Sequence, residues 1–118
     1  MTAYAIAVLV PLDAGPEVHR YLEEIDATLA PFSGRFLVHG SAPEDVVEGE
    51  PDGASVVVAF PDRAAAEGWY ASDAYRAILP LRTEHTVGWV AIVDGVREGH
   101  RATDIWDTLS ASVVDTAS

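Results

Sequence analysis

Apolar residues follow two rhythms along this chain. Residues 4–11 and 54–60 are apolar at nearly every position, and residues 87–93 repeat the pattern around Trp89. A half-exposed strand alternates apolar and polar residues, so runs like these read as strands covered on both faces. In the first run Tyr4, Ile6, Val8 and Val10 share one side, and Ala5, Ala7 and Leu9 share the other. The spacing then turns helical. Val18, Tyr21, Leu22, Ile25 and Leu29 form one stripe behind Gly15-Pro16, and proline suits a first helical position. Pro31 and Gly34 close that helix. Residues 35–40 read as a second strand, with Phe36 and Val38 on one side and Arg35, Leu37 and His39 on the other.

The stretch 41–53 is polar and turn-rich. Val46-Val47 suggests a brief extension strand there, closed by a Pro51-Asp52-Gly53 turn. After the strand at 54–60, Asp62 caps a helix whose buried side is expected to be Ala64, Ala65, Trp69 and Tyr70. Ser72 caps a second helical run. Ala74, Ile78, Leu81 and His85 form one stripe of it, and Tyr75, Leu79 and Arg82 a neighbouring one. Pro80 removes a helical hydrogen bond and predicts a kink. Beyond residue 96 the character changes. Ile105, Trp106 and Leu109 suit a short amphipathic helix, and residues 110–118 read as loosely ordered.

The order is therefore βαββαβ, an α+β ferredoxin-like arrangement with an antiparallel sheet and helices on one face. It occupies residues 1–96, and residues 97–118 form a C-terminal tail. The strands are apolar on both faces, yet helices cover only one. The expected cover for the other is a second copy, giving a homodimer with sheets face to face. The alternative is a monomer whose tail folds over that face.

Composition narrows the function classes. One chain of 118 residues is one domain, with room for a core. There is no Cys, which excludes disulfides, thiolate nucleophiles and Cys-based metal sites and fits a reducing, cytoplasmic location. The net charge is −12, and the seven cationic side chains are all Arg, scattered singly. Nucleic acid and anionic membranes, which need clustered cations, are poor partners. The apolar N-terminal run carries no basic flank and is broken by Pro11 and Asp13, unlike a membrane span or a secretory signal.

Candidate chemistry rests on a few side chains. Arg35 and His39 lie four apart on one strand and are expected to share a face, about 13 Å apart. An anionic or carbonyl-bearing ligand could lie between them, with Arg35 holding an oxyanion and His39 moving a proton. The plainer reading is an Arg35 ion pair and a His39 at the strand's exposed end. Tyr75 and Arg82, seven apart on one helix, could close a pocket as hydrogen-bond donor and anion clamp. Their plainer reading is a Tyr at the core's edge and an Arg paired with Glu84. Trp69, Tyr70 and Trp89 would line an apolar ligand pocket, or else pack as core and interface. His19, His85 and His100 show no metal-ligand spacing, and no HExxH, GxSxG or phosphate-cradling loop occurs. No metal and no cofactor are expected.

A family resemblance begins at GRFLVHG, residues 34–40. It continues through Glu48-Gly49, Phe60-Pro61, Trp69-Tyr70, Ser72-Asp73, Tyr75, Arg82 and Val93-Asp94-Gly95. In this order the motifs resemble the domain-of-unknown-function family 1330, within the dimeric α/β-barrel superfamily, over residues 3 to 96. The resemblance implies a ferredoxin-like dimer. It implies no single activity, since the superfamily spans cofactor-independent monooxygenases, lactone isomerases, polyketide cyclases and haem enzymes. Ala59 stands where the family often carries an acid, so no acid/base role transfers to that position. Two functions follow from the residues. One is a cofactor-free isomerase, cyclase or lyase acting on a small, partly apolar metabolite, with His39, Arg35 and Arg82 in catalytic roles. The other is a non-catalytic dimeric small-molecule-binding or stress-related protein.

Overall fold

A computed structural model describes residues 1–40, 45–50 and 53–113. Strand β1 (Ala3–Pro11) leads into helix α1 (Pro16–Leu29) and a 3-10 turn (Ala30–Phe32). Strands β2 (Arg35–His39) and β3 (Ala54–Phe60) follow, then helices α2 (Arg63–Ala71) and α3 (Asp73–Thr83) and strand β4 (Thr86–Asp94). A second 3-10 turn (Ala102–Ile105) and a short helix α4 (Trp106–Ala111) end the described chain. The four strands form one sheet in the order β2-β3-β1-β4, every neighbouring pair antiparallel. This is the ferredoxin-like arrangement that the order of elements predicts.

The helix boundaries follow from their capping residues. Pro16 opens α1 behind Gly15. Asp62 accepts a hydrogen bond from the Ala65 amide at 2.8 Å and starts α2. Ser72 does two jobs at the α2–α3 junction: its hydroxyl donates to the Trp69 carbonyl and accepts from the Tyr75 amide. α3 continues through Pro80 to Thr83 without interruption. The buried side of α2 is Ala66 and Trp69, whereas Ala64 points outward. That of α3 is Tyr75, Ile78 and Arg82, and Ala74 is exposed. Residues 45–50, with Val46 and Val47 exposed, form no strand. Pro51 and Asp52 of the expected turn lie outside the described residues, as do 114–118 of the tail.

The two faces of the sheet differ in side-chain size. The face under the helices presents Ala3, Ala5 and Ala7 from β1, opposite Phe60, Val58 and Val56 of β3. Tyr21, Ile25 and Leu29 of α1 and Trp69, Tyr75 and Ile78 of α2 and α3 complete the core above them. The other face carries the bulky half of β1, Tyr4, Ile6 and Val8, with Val93, Ala91 and Trp89 beside them on β4. Among the described residues no helix packs there, and Val87 and Trp89 are each about half exposed.

One register shift changes the expected site. Phe36 pairs with Val58, but Val38 pairs with Val57, so Leu37 is an extra residue in β2. A bulge of this kind moves every later side chain to the opposite face. Arg35, opposite Ala59, faces the open side of the sheet, and His39, opposite Val56, faces the helices. The two do not share a face, and Phe36 stands with His39 instead of with Val38.

Candidate functional site, a pocket between sheet and helices

Small residues on the covered face leave a hollow. Ala5, Ala7 and Ala54 give the sheet a low floor, and the helices stand above it on bulkier side chains. The result is a cavity of about 280 Å³. Val18, Leu22 and Ile25 of α1 form one wall, Val56, Val58 and Phe36 the opposite one, and Trp69, Tyr75 and Arg82 the roof. Among the described residues no Asp or Glu lines it, although the chain carries 19 acidic residues.

Its polar groups converge at one end. The hydroxyls of Tyr21 and Tyr75 are 2.7 Å apart in a buried hydrogen bond. Burial first, and the neighbouring Tyr75 second, push the Tyr21 pKa well above the ordinary phenol value. The Tyr21 hydroxyl thus keeps its proton at physiological pH. The Arg82 guanidinium carbon lies 5.9 Å from the Tyr21 ring centroid, within cation–π range. Arg82 is only 8% exposed, and among the described residues no carboxylate reaches salt-bridge distance of it. Arg20 and Arg63, at the surface, pair with Glu24 and with Glu67 and Asp94. Burial works against the charge of Arg82, but the Tyr75 and Tyr21 oxygens outweigh it and hold the guanidinium above its usual pKa.

Aromatic packing fixes this end of the pocket. Trp69 and Tyr75 have ring centroids 4.2 Å apart, and Tyr70 closes on both from outside the cavity. The Trp69 indole N–H donates to the Thr28 hydroxyl at 3.0 Å, and that hydroxyl donates to the Ile25 carbonyl at 2.7 Å. Tyr75 is therefore held from three sides, which pre-orients its hydroxyl toward Tyr21. At the other end His39 stacks on Phe36, with centroids 4.5 Å apart and planes 9° apart, and is exposed at the rim.

Of the seven sequence candidates, the structure gathers Trp69, Tyr75, Arg82 and His39 around one cavity. Tyr70 supports it from behind. Arg35 and Trp89 do not reach it, because both face the open side of the sheet. Tyr21 lines the cavity too, and periodicity treats it as one more position in an apolar stripe. Its signal is a hydroxyl-bearing residue at the buried centre of that stripe.

Beside the pocket mouth, where Pro11 and Thr86 line it, His85 bridges two carboxylates. Its Nδ1 is 2.7 Å from Asp13, and its Nε2 contacts Glu17. Asp13 first and Glu17 second raise its pKa, and His85 in turn lowers that of Asp13. Glu17, Glu84 and His85 bring their ligand atoms within 4.8 Å of one another, so this surface group is where a cation could sit. Both ring nitrogens of His85 are already engaged by carboxylates.

A ferredoxin-like sheet with a helix-covered pocket defines the class of protein. The chain belongs to the family described as Domain of unknown function (DUF1330), whose model matches residues 2–96. Among solved structures it is similar to a protein of unknown function from Rhodopseudomonas palustris. The two are 15% identical over 81% of this chain and 83% of that one, with a TM-score of 0.60. It is also similar to a dimeric ferredoxin-like protein of unknown function from Jannaschia sp. CCS1, at 14% identity over 80% and 100% and a TM-score of 0.56. A third is SnoaB, a cofactor-independent oxygenase from Streptomyces nogalater, at 12% identity over 85% and 98% and a TM-score of 0.56. Identities this low establish the shared fold alone. No curated protein matches. Among the described residues no helix is long and apolar enough to cross a membrane.

Proposed function

We propose that this pocket binds a small, largely apolar molecule bearing one anionic or carbonyl oxygen, and that the protein acts on it by proton transfer without a cofactor. One observation carries the reading. A guanidinium is buried at the end of an apolar cavity with two tyrosine hydroxyls and, among the described residues, no carboxylate beside it. Burying a charge without its counter-charge is costly, and a ligand oxyanion would supply the missing partner. In this role Arg82 binds the oxygen, one hydroxyl of the Tyr21–Tyr75 pair donates a hydrogen bond to it as charge develops while the other donates within the pair, and His39 moves a proton at the rim. Isomerisation, cyclisation and elimination are reactions of that type. One solved neighbour is described as a cofactor-independent oxygenase, which is compatible with a pocket of this fold working unaided.

A second reading, binding without turnover, is favoured by the position of His39, stacked on Phe36 and exposed. In both readings two copies associate through the open sheet face. The apolar side chains of Tyr4, Ile6, Val8 and Trp89 there support this, as does the description of one neighbour as dimeric.

The test is an NMR titration of the labelled chain with 2-naphthoate, an apolar monoanion. Shifts centred on Ala5, Tyr21, Trp69, Tyr75 and Arg82 are expected. Shifts centred on Val8, Val87 and Trp89, or none, would overturn the assignment. Once a reactive ligand is found, a His39→Ala variant that keeps binding but loses turnover favours the enzyme.

A further inference from the structure

We propose that the tail after Val96 is an intersubunit arm, whose apolar side seats on a second copy of this chain and extends the sheet-to-sheet interface. The proposal rests on the homodimer reading above and adds to it a segment that the family model, ending at residue 96, does not cover.

The tail is built to be held from outside. Its departure point is pinned, since the Gly95 amide donates to the Thr2 carbonyl at 2.7 Å. Beyond it the polar groups are satisfied locally. Asp104 accepts from the Arg101 amide, and the hydroxyls of Ser110 and Ser112 donate to carbonyls one turn back. Ile105, Trp106 and Leu109 are left together around one hollow, 50%, 65% and 51% exposed. Six residues of α4 are far too few for a helix to persist alone in water. Its main packing partner is the adjoining 3-10 turn, not the sheet or the larger helices.

The dimensions point to the same conclusion. A compact monomer of 12.6 kDa exposes about 6,200 Å². This chain exposes 8336 Å², about a third more. Its radius of gyration is 16.6 Å, against about 13.5 Å for a compact domain of this length. The excess exceeds the roughly 800 Å² per partner of an ordinary protein interface, so it suffices for the sheet face and the arm together.

A second copy is the occupant that continuity favours. The tail leaves from the end of β4, an edge strand of the sheet. The open face of that sheet, with Tyr4, Val8, Val87 and Trp89, carries one charged side chain among the described residues, Arg35 on the far strand β2. The arm's Ile105, Trp106 and Leu109 would continue that apolar surface across the boundary between copies.

Sedimentation equilibrium of the full chain tests this. The variants are a tail double substitution, Trp106→Ser with Leu109→Ser, and a sheet-face one, Val87→Ser with Trp89→Ser. The expected result is a dimer whose Kd rises at least about 10-fold in the tail variant, with an unchanged far-UV spectrum. A Kd moved by the sheet variant but not by the tail variant overturns the arm alone. A tail variant that loses stability at unchanged Kd shows the tail folded on its own chain, and also overturns it. A wild-type chain monomeric at every concentration overturns the homodimer reading and the arm with it.

Discussion

Replacing Arg82 by Met separates a structural role from a binding role. Arg82 is 8% exposed and has no carboxylate partner among the described residues. Taking such a charge out of water costs several kcal/mol even after the surroundings relax. What returns in the free protein is a cation–π contact with Tyr21 at 5.9 Å, worth about 0.5–2 kcal/mol, and the Tyr75 and Tyr21 hydroxyl oxygens. None of these is a counter-charge, so the guanidinium adds little net stability to the free protein. Met has similar length, carries no charge and adapts to irregular spaces. Arg82→Met is therefore expected to leave the unfolding free energy within about 1 kcal/mol of wild type, or to raise it, as residues kept for function do. Binding moves the other way. A charge-assisted hydrogen bond to a ligand oxyanion is worth about 1.5–3 kcal/mol, which corresponds to a 10- to 150-fold loss of affinity. The assays are urea denaturation, and calorimetric titration with 2-naphthoate beside its uncharged amide. Naphthoate affinity is expected to fall by that factor, and amide affinity to stay within about two-fold. A stability loss above about 2 kcal/mol with naphthoate binding intact would refute the reasoning.

Three further substitutions probe the scaffold. Thr28→Val leaves the buried Trp69 indole N–H without its acceptor and should cost about 1–3 kcal/mol, while Thr28→Ser should restore it; equal melting of the two would contradict the assignment. Gly88 has φ +141°, and a Cβ there would lie 2.0 Å from the Val8 carbonyl oxygen. Gly88→Ala should therefore destabilise by about 2–3 kcal/mol in urea denaturation, and a neutral result would show that β1 and β4 separate freely. His85 has a raised folded pKa, so its bridge to Asp13 and Glu17 is complete below the unfolded value of about 6.5 and lost as pH rises through the folded pKa. Asp13, with its lowered pKa, keeps its side of the bridge until the solution is acid enough to protonate it. The melting-temperature gap between wild type and His85→Gln should accordingly be wider at about pH 5.5 than at about pH 8.5, and a gap independent of pH would remove His85 as the titrating group.

Much of the fold is legible in the sequence because the signals are local. Pro16, Asp62 and Ser72 mark helix starts by chemistry that needs no tertiary partner. The doubly apolar runs at β1 and β3 mark strands wherever they lie. The site is less legible because its key step is not local. Counting in twos along Arg35-Phe36-Leu37-Val38-His39 holds only while the register with β3 is unbroken, and the extra residue at Leu37 is set by that pairing. The count therefore joined Arg35 to His39, and the bulge parts them. Trp89 shows a related limit. An aromatic residue in a strand apolar on both faces gives no hint of which face meets the helices, and here it takes the open one. Tyr75 and Arg82 share a buried side of α3, as their spacing predicts, because seven residues of helix return to the same face whatever surrounds them. The cavity itself depends on Ala5, Ala7 and Ala54, whose small size reads in sequence as close packing and in the fold creates space.

Native mass spectrometry of the gently purified chain tests the central claim most directly. A ligand held by Arg82 inside the pocket predicts a dimer carrying small extra masses that are shed on denaturation and missing from the Arg82→Met variant. Wild type and variant carrying the same extra mass, or wild type carrying none with 2-naphthoate in excess, would contradict it.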